Sequence, residues 1–233
     1  MTIIDIIKYE GNNKEIVWKH PGEEFSNVSE LRVNKNQDAL LVRKEQVLDL
    51  FSTGQYTLNA QSAPILSSAL NIKDEEKSSF NCEIYFLNKS EEIPIKWGTD
   101  KKVQFMEPTY GFPVSIGVYG EMSLVVVDSR KFLNKYVNNE QNFNKKALYL
   151  YIKSFLKTRI KVHIANLIIN KYINIFEIDE NLSCFSEQIK EELILDLQEH
   201  GITLSKFVIL NIATPDDMNY SKYKELYLKK LRM

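Results

Sequence analysis

Short runs of apolar residues, separated by polar turns, fill the first half of the chain and predict strands. They cover residues 31–33, 39–42, 47–51, 82–87, 93–97, 102–106, 114–119 and 122–127. The first three favour an antiparallel meander within 29–58. Pro94 and Pro113 are expected at strand starts or sheet edges, because proline cannot donate to a strand ladder. Gly117-Val118-Tyr119-Gly120, between the last two runs, is interpreted as a turn or bulge.

The apolar spacing changes from strand to helix at Asp128. Asp128 or Ser129 is the expected N-cap of a helix over 130–137, and two longer helices are predicted over about 144–173 and 184–199. Gly201 is the expected left-handed stop of the last of these. A shorter surface helix is predicted earlier, over 63–70, where a proline stands near its start.

A single late strand is predicted over 202–212, followed by a last helix. Thr214-Pro215-Asp216-Asp217 indicates the start of that helix, with a hydroxyl cap, a proline at the first position and carboxylates at the positive end of the helix dipole. The strand places one set of apolar side chains on a common face: Ile202, Leu204, Val208, Leu210 and Ile212.

This order of elements predicts an α+β fold rather than a doubly wound parallel sheet. We expect a single domain over 1–233 that is β-rich in 1–127 and helix-rich in 128–233. Near the N-terminus, Ile3, Ile4, Ile6 and Ile7 surround Asp5. Their spacing suits a short amphipathic helix as well as a strand, and both alternatives stay open.

Composition excludes several classes of protein. Thirty Lys plus Arg against 31 Asp plus Glu leave a net charge of −1, so no overall field attracts nucleic acid. The two cysteines, Cys82 and Cys184, are far apart and have no ligand-spaced neighbour, so we expect no metal site and no disulfide. No run of about 18 apolar residues and no secretory leader is found. We therefore expect a cytoplasmic protein.

No common catalytic motif is present in the sequence: it lacks a phosphate-binding glycine loop, a metalloprotease helix and a nucleophile elbow. The three histidines, His20, His163 and His200, are isolated from one another. We expect no catalytic residues, no cofactor and no small-molecule substrate. An enzyme whose site is assembled from distant residues, with His163 or His200 beside carboxylates in a pocket, is the least favoured alternative.

The helical half contains a stretch with basic residues and no acidic ones. Between Gln141 and Phe176 there is no Asp or Glu. At 100° per residue, five basic residues fall within one quadrant: Lys146, Lys153, Lys157, Lys161 and Lys171. Apolar residues fall on the opposing arc: Ile152, Phe155, Leu156, Val162 and Leu167. An amphipathic basic helix of this kind suits an anionic lipid surface.

The next block, 177–199, has the opposite charge, with Lys190 as its one basic residue. Its acidic residues are Glu177, Asp179, Glu180, Glu187, Glu191, Glu192, Asp196 and Glu199. A simpler interpretation than lipid binding is therefore that the basic and acidic helices pair with each other, or with those of a neighbouring subunit.

Several short segments, in this order, resemble bacterial SPFH-domain proteins. They are 3–11, Trp18-Lys19-His20-Pro21, Gly54-Gln55-Tyr56-Thr57-Leu58, Glu83-Ile84-Tyr85-Phe86, Lys96-Trp97-Gly98-Thr99 and Glu199-His200-Gly201-Ile202. This is the stomatin, prohibitin, flotillin and HflK/C (band 7) superfamily, and the similarity is to its soluble branch, often labelled virion-core-like. The resemblance implies a curved antiparallel sheet with packed helices.

The resemblance further implies a non-enzymatic scaffold that oligomerises and works at membranes, in some bacteria within envelope-stress systems. The sequence departs from the pattern at Ser52-Thr53-Gly54, where relatives commonly have Gly-Pro-Gly. Relatives often continue into a long helix and a zinc ribbon, whereas this sequence stops at Met233 and lacks those cysteines.

Our leading hypothesis is a homo-oligomeric scaffold, peripheral on the inner face of the cell membrane or bound to a membrane-stress protein. The residues expected to bind anionic lipid or an acidic partner are Lys146, Lys153, Lys157 and Lys161. Those expected to insert or to form a subunit contact are Ile3, Ile4, Ile6 and Ile7, for which core packing is the alternative. The alternative function is a protein-interaction module without lipid affinity.

Overall fold

A computed structural model of the chain describes residues 5–11, 15–59, 62–65, 68, 79–136, 145–171 and 173–232. The chain forms two compact units, each assembled from separate chain segments. Unit 1 comprises 1–91, 125–145 and 199–203, and unit 2 comprises 92–124, 146–198 and 204–233. The architecture is an α+β fold of largely antiparallel sheets and packed helices, as predicted. The single domain expected over 1–233 stays a prediction.

Unit 1 contains three small sheets. Their strands are β1 Ile6–Lys8, β2 Val17–Lys19, β3 Glu24–Ser26, β4 Glu30–Val33, β5 Gln37–Arg43, β6 Gln46–Phe51, β7 Gly54–Thr57, β8 Ser79–Asn81 and β9 Glu83–Asn88. The sheet orders are β1-β4-β7, β2-β9-β5-β6 and β3-β8. The predicted meander is correct for the β5–β6 hairpin and wrong for β4, which pairs with β7 and, in parallel, with β1.

Two of the segments that carry the family resemblance meet in unit 1. Trp18 on β2 packs edge-on against Tyr9, with ring centroids 5.4 Å apart, and also contacts Phe86 on β9. Lys19 lies between the carboxylates of Glu23 and Glu83, whose hydrogen bonds raise its pKa against the opposing effect of burial. These motif residues therefore join β2 to β9.

The described part of unit 2 holds most of a four-stranded sheet, with strands β10 Ile93–Gly98, β11 Val103–Met106, β12 Pro113–Val126 and β13 Ile202–Ala213. Strand β12 is central and pairs with the other three. The interpretation of 117–120 as a turn is wrong, because β12 runs through it without interruption. Gly120 is needed there for close packing: a Cβ atom would lie 2.0 Å from the Val208 carbonyl oxygen on β13.

The described helices are α1 Ser129–Tyr136, α2 Lys145–Asn170, α3 Leu182–Leu197 and α4 Met218–Leu231, with 3-10 turns at Ile175–Asn181 and Gln198–His200. Asp128 caps α1, accepting a hydrogen bond from the Lys131 N–H at 2.9 Å, as predicted. Gly201 has φ +68°, which confirms the expected left-handed stop. Of the predicted 63–70 helix, Pro64, Ile65 and Ser68 are described, and they are helical.

Two details of the late strand and last helix differ from the prediction. In β13, Ser205 and Lys206 are both exposed, so the alternation shifts and Phe207 and Ile209 are buried instead of Val208 and Leu210. The last helix begins after Thr214 and Pro215, with Asp217 as its N-cap, accepting from the Tyr220 N–H at 2.8 Å.

Helix α4 is held to unit 2 by one face, formed by Tyr220, Tyr223 and Tyr227. Tyr223 stacks on Phe112 with centroids 4.3 Å apart, and Tyr220 and Tyr227 contact Phe176. The Tyr227 hydroxyl donates to Glu177 at 2.7 Å, and this bond raises its pKa to about 12.

Candidate functional site

Helix α2 has six basic and no acidic residues, and its buried face is an isoleucine-rich stripe with four-residue spacing. The stripe is Ile152, Leu156, Ile160, Ile164 and Ile168. Lys153, Lys157 and Lys161 each follow a stripe residue directly and are half-buried. The predicted opposition of basic and apolar arcs is therefore wrong in detail: the lysines flank the buried stripe, and Val162 is 50% exposed. In this arrangement the long aliphatic parts of the lysine side chains lie along the apolar stripe.

A carboxylate from a distant loop lies among these lysines. Asp100, in the β10–β11 loop, accepts hydrogen bonds from Lys157 Nζ at 2.6 and 2.8 Å. That hydrogen bond, aided by the charges of Lys157, Lys161 and Lys153, lowers the Asp100 pKa. Three lysines therefore share one carboxylate, which leaves the group with a net positive charge.

The same loop adds two further basic residues, Lys101 and Lys102, both exposed. We call Lys101, Lys102, Lys153, Lys157 and Lys161 the lysine patch. Lys153 Nζ also lies 5.3 Å above the Tyr149 ring. Lys146, the fourth predicted lysine, is exposed nearer the start of α2.

The exposed side of α2 also carries apolar residues. Leu150 is 57% exposed and Tyr151 51%, and farther along the helix Val162 is 50% and Ile169 42% exposed. We call these four residues the apolar edge. A helix that presents lysines beside exposed apolar side chains can lie at a lipid headgroup boundary.

The N-terminal isoleucines are only partly described. Ile6 and Ile7 lie in β1, which resolves the open alternative for these two residues in favour of a strand. Ile7 is 1% exposed and belongs to the core of unit 1, whereas Ile6 is 47% exposed. Ile3 and Ile4 lie outside the described residues, so their predicted role is unchanged.

The basic and acidic helices of the chain contact each other at a few points. His163 Nε2 and Arg159 Nε of α2 lie 3.1 and 3.8 Å from Asp196 Oδ2 of α3. Lys171 Nζ donates to Gln188 Oε1 at 2.6 Å. This confirms in part the expected pairing of the two helices with each other.

A cleft of about 440 Å³ lies between α2 and α3. Its lining residues are His163, Asn166, Leu167, Asn170, Lys171, Gln188, Ile189, Glu191 and Glu192. None of these carries a hydroxyl or thiol, so the lining offers the His163–Asp196 pair no nucleophile of the serine or cysteine type. Amide and carboxylate groups predominate, and Lys171, itself a lining residue, donates to one of them, Gln188 Oε1.

The titratable side chain of His200 is buried and hydrogen-bonded within the fold. His200 is 6% exposed and bonds to the Tyr136 hydroxyl, and burial followed by the charge of Lys135 lowers its pKa. Among the described residues, no group of three or more His, Cys, Asp or Glu could hold a metal ion. No helix in the described ranges has the length and apolar character needed to span a membrane.

Sequence reasoning found the lysines of α2 but missed Asp100, Lys101 and Lys102 as their neighbours. Asp100 and Lys157 are 57 residues apart. A short polar segment between two strand runs carries no signal for the helix it will meet, and only the folded chain shows the complete patch.

Comparison with known proteins adds two findings. The chain is 25% identical over 222 residues to the Bacillus subtilis (strain 168) protein named Uncharacterized protein YdjI, an alignment that covers 92% of this chain and 62% of that protein. The chain thus spans about three fifths of the length of this relative. The model of the SPFH domain-Band 7 family matches residues 17–228. The chain, whose core motifs and α+β architecture agree with that match, belongs to the SPFH domain-Band 7 family.

Proposed function

We propose that this SPFH-domain protein is a non-enzymatic scaffold that oligomerises and docks peripherally on the inner face of the cell membrane. Family membership supports a scaffold-like role associated with membranes. The observation that carries the proposal is that α2 exposes the residues of the apolar edge and also contributes three lysines to the lysine patch. Together these residues supply both terms that peripheral binding needs, charge attraction and apolar contact.

The electrostatic term can be estimated from the lysines. Each lysine near an anionic leaflet contributes roughly 1 kcal/mol, so Lys153, Lys157 and Lys161 together contribute about 3 kcal/mol. Asp100 offsets part of this, whereas Lys101 and Lys102 add to it. The four residues of the apolar edge are too few for a lasting anchor, and oligomerisation supplies the avidity that makes binding stable.

Vesicle flotation tests the proposal. The chain should float with vesicles that contain phosphatidylserine and not with neutral vesicles, and physiological salt should weaken the binding relative to low salt. The triple variant Lys153→Gln, Lys157→Gln and Lys161→Gln should bind roughly a hundred-fold more weakly. The matched control is a triple Lys→Gln change at the exposed positions Lys8, Lys35 and Lys96.

Comparison of the two triple variants decides the outcome. Equal loss in both would show that only overall charge matters and would remove the lysine patch as the docking site. Absence of flotation with any vesicle would overturn direct membrane docking. It would leave a membrane-stress protein as the route to the membrane.

The second candidate function is a protein-interaction module without lipid affinity. The exposed acidic side of α3 favours it, because Glu187, Glu191 and Glu192 would be repelled by an anionic leaflet. Loss of assembly on neutralising the lysine patch, in a chain that floats with neither anionic nor neutral vesicles, would support this function instead.

A further inference from the structure

Two exposed helix faces of unit 2 carry opposite charge. Helix α3 has four acidic residues and one basic, and α4 has four basic residues and one acidic. Among the described residues, Asp196 is the acidic residue of α3 that forms ion pairs. The lysines of α4 form no ion pair in the described part of the chain. Both faces are therefore available for charges from outside the chain.

The two faces also match in spacing. On α3, Glu192 precedes the 61% exposed Leu195 by three residues, and on α4 Lys229 follows the 48% exposed Leu226 by three residues. Residues three apart are neighbours on a helix surface. When the helices run antiparallel, Glu192 meets Lys229 while Leu195 meets Leu226. Glu191 then lies opposite Lys230.

The cleft between α2 and α3 begins at this acidic face. Glu191 and Glu192 are among its lining residues, with the side-chain amides of Asn166 and Asn170 and with Gln188, whose Oε1 already accepts from Lys171. An ammonium group has three donors and no acceptor, so it is well matched by carboxylate and amide oxygens. A lysine from outside the chain that reaches the exposed Glu191 and Glu192 can replace its hydration with charge-assisted hydrogen bonds.

Within its own chain, α4 is held by contacts with residues outside the acidic face of α3. Its tyrosine face holds it on Phe112 and Phe176, and Tyr227 is bonded to Glu177. The lysines on its outer side are left exposed. A second copy of the chain carries the same basic face, and charge complementarity singles it out as the occupant.

We propose that α3 of one copy binds α4 of a second copy in antiparallel orientation, with Glu191, Glu192 and Leu195 against Lys230, Lys229 and Leu226. The inference rests on the oligomerisation in the proposed function and names the surface that forms it. The two faces differ, so the contact is heterologous and joins copies head to tail into a ring or filament. One helix pair is a weak contact, and closure of a ring stabilises it by avidity.

A charge-swap experiment tests this contact in the chain of 233 residues. The first variant is Glu191→Lys with Glu192→Lys, and the second is Lys229→Glu with Lys230→Glu. Each variant alone brings like charges together, so its dissociation constant for self-association should rise at least about ten-fold by sedimentation velocity. An equimolar mixture of the two, and one chain carrying all four changes, should recover assembly. The matched control, Lys8→Glu with Lys35→Glu, should assemble as the wild type does.

All substituted positions are exposed, so the variants should fold like the wild type. Assembly of either variant at wild-type strength, or failure of the mixture and the four-fold variant to assemble, overturns the contact. A wild-type chain that stays monomeric up to about 1 mM also overturns it. Flotation of the wild-type chain tests membrane docking separately. The charge-swap variants keep the lysine patch but lose the avidity of assembly, so each alone should float more weakly than the wild type, and the four-fold variant should recover flotation.

Discussion

The packing of unit 2 can be tested by adding a single methyl group at Gly120. A Cβ atom there would lie 2.0 Å from the Val208 carbonyl oxygen and 2.8 Å from Cζ2 of Trp97, whose ring stacks on Phe207 with centroids 5.1 Å apart. Ordinary contact needs about 3.5 Å, so β13 would have to move by roughly 1.5 Å. The Gly120→Ala change therefore forces apart two paired strands.

The expected cost follows from two opposing terms. Overfilling a packed site costs about 1–3 kcal/mol, and the upper end applies because the clash is with backbone. Replacing glycine restricts the unfolded chain and returns about 0.4–1 kcal/mol. The net loss in the free energy of unfolding should be about 2 kcal/mol.

Gly117, in the same strand, is the matched control. A Cβ atom there would meet the Ala213 Cβ at 3.7 Å, an ordinary contact, so Gly117→Ala should leave stability unchanged or raise it by about 0.5 kcal/mol. Urea unfolding followed by circular dichroism measures both. With a slope of about 2 kcal/mol per M, the midpoint of Gly120→Ala should fall by about 1 M.

Equal midpoints for the two variants would refute this reasoning. A turn at 117–120 would make both glycines similarly sensitive, whereas the continuous strand makes only Gly120 sensitive. The experiment thus distinguishes the observed structure from the interpretation suggested by the sequence.

Three further predictions concern charge and reactivity. Asp100→Asn removes the carboxylate from the lysine patch and should strengthen binding to phosphatidylserine vesicles about five-fold, with an unchanged urea midpoint; weaker binding would contradict the patch. Burial and the charge of Lys135 lower the pKa of His200, so below pH 6.5 the unfolded chain binds a proton at this residue more readily than the folded chain does. The free energy of unfolding should therefore fall as the pH drops from about 7 to 5.5. His200→Gln should reduce that fall, and an equal fall in the variant would exclude His200 as its cause. Burial raises the pKa of Cys82 to about 12 while Cys184 is exposed, so a disulfide reagent at pH 8 should label one thiol in the native chain and two in urea. Rapid labelling of both thiols in the native chain would contradict the buried position of Cys82.

The sequence predicted those features that depend on neighbouring residues. The change from strand to helix at Asp128, the capping by that residue and the stop at Gly201 follow from local spacing and local backbone preference. The charge difference between α2 and α3 is likewise local, because each helix is one continuous segment. The short motifs, taken in order, were enough to indicate the SPFH family.

Predictions failed where contacts between distant segments determine which side chains are buried. The face of β13 shifts at Ser205 and Lys206, where Ser205 Oγ donates to the Ser123 carbonyl oxygen at 3.2 Å. Beyond the shift, the Ile209 N–H donates to Ser186 Oγ of α3 at 2.9 Å. Alternation within the strand contains no information about these partners.

What the sequence by itself determined is the type and approximate extent of most elements, the charge of each helix and the family. Periodicity and capping are properties of residues a few positions apart, so they can be read before the chain folds. The tertiary structure alone decided that β1 pairs in parallel with β4, that Lys153, Lys157 and Lys161 flank the buried stripe of α2, and that Asp100 meets them. These contacts join segments tens of residues apart, and their geometry is set by the packing of both units' cores and not by the residues beside them in the chain.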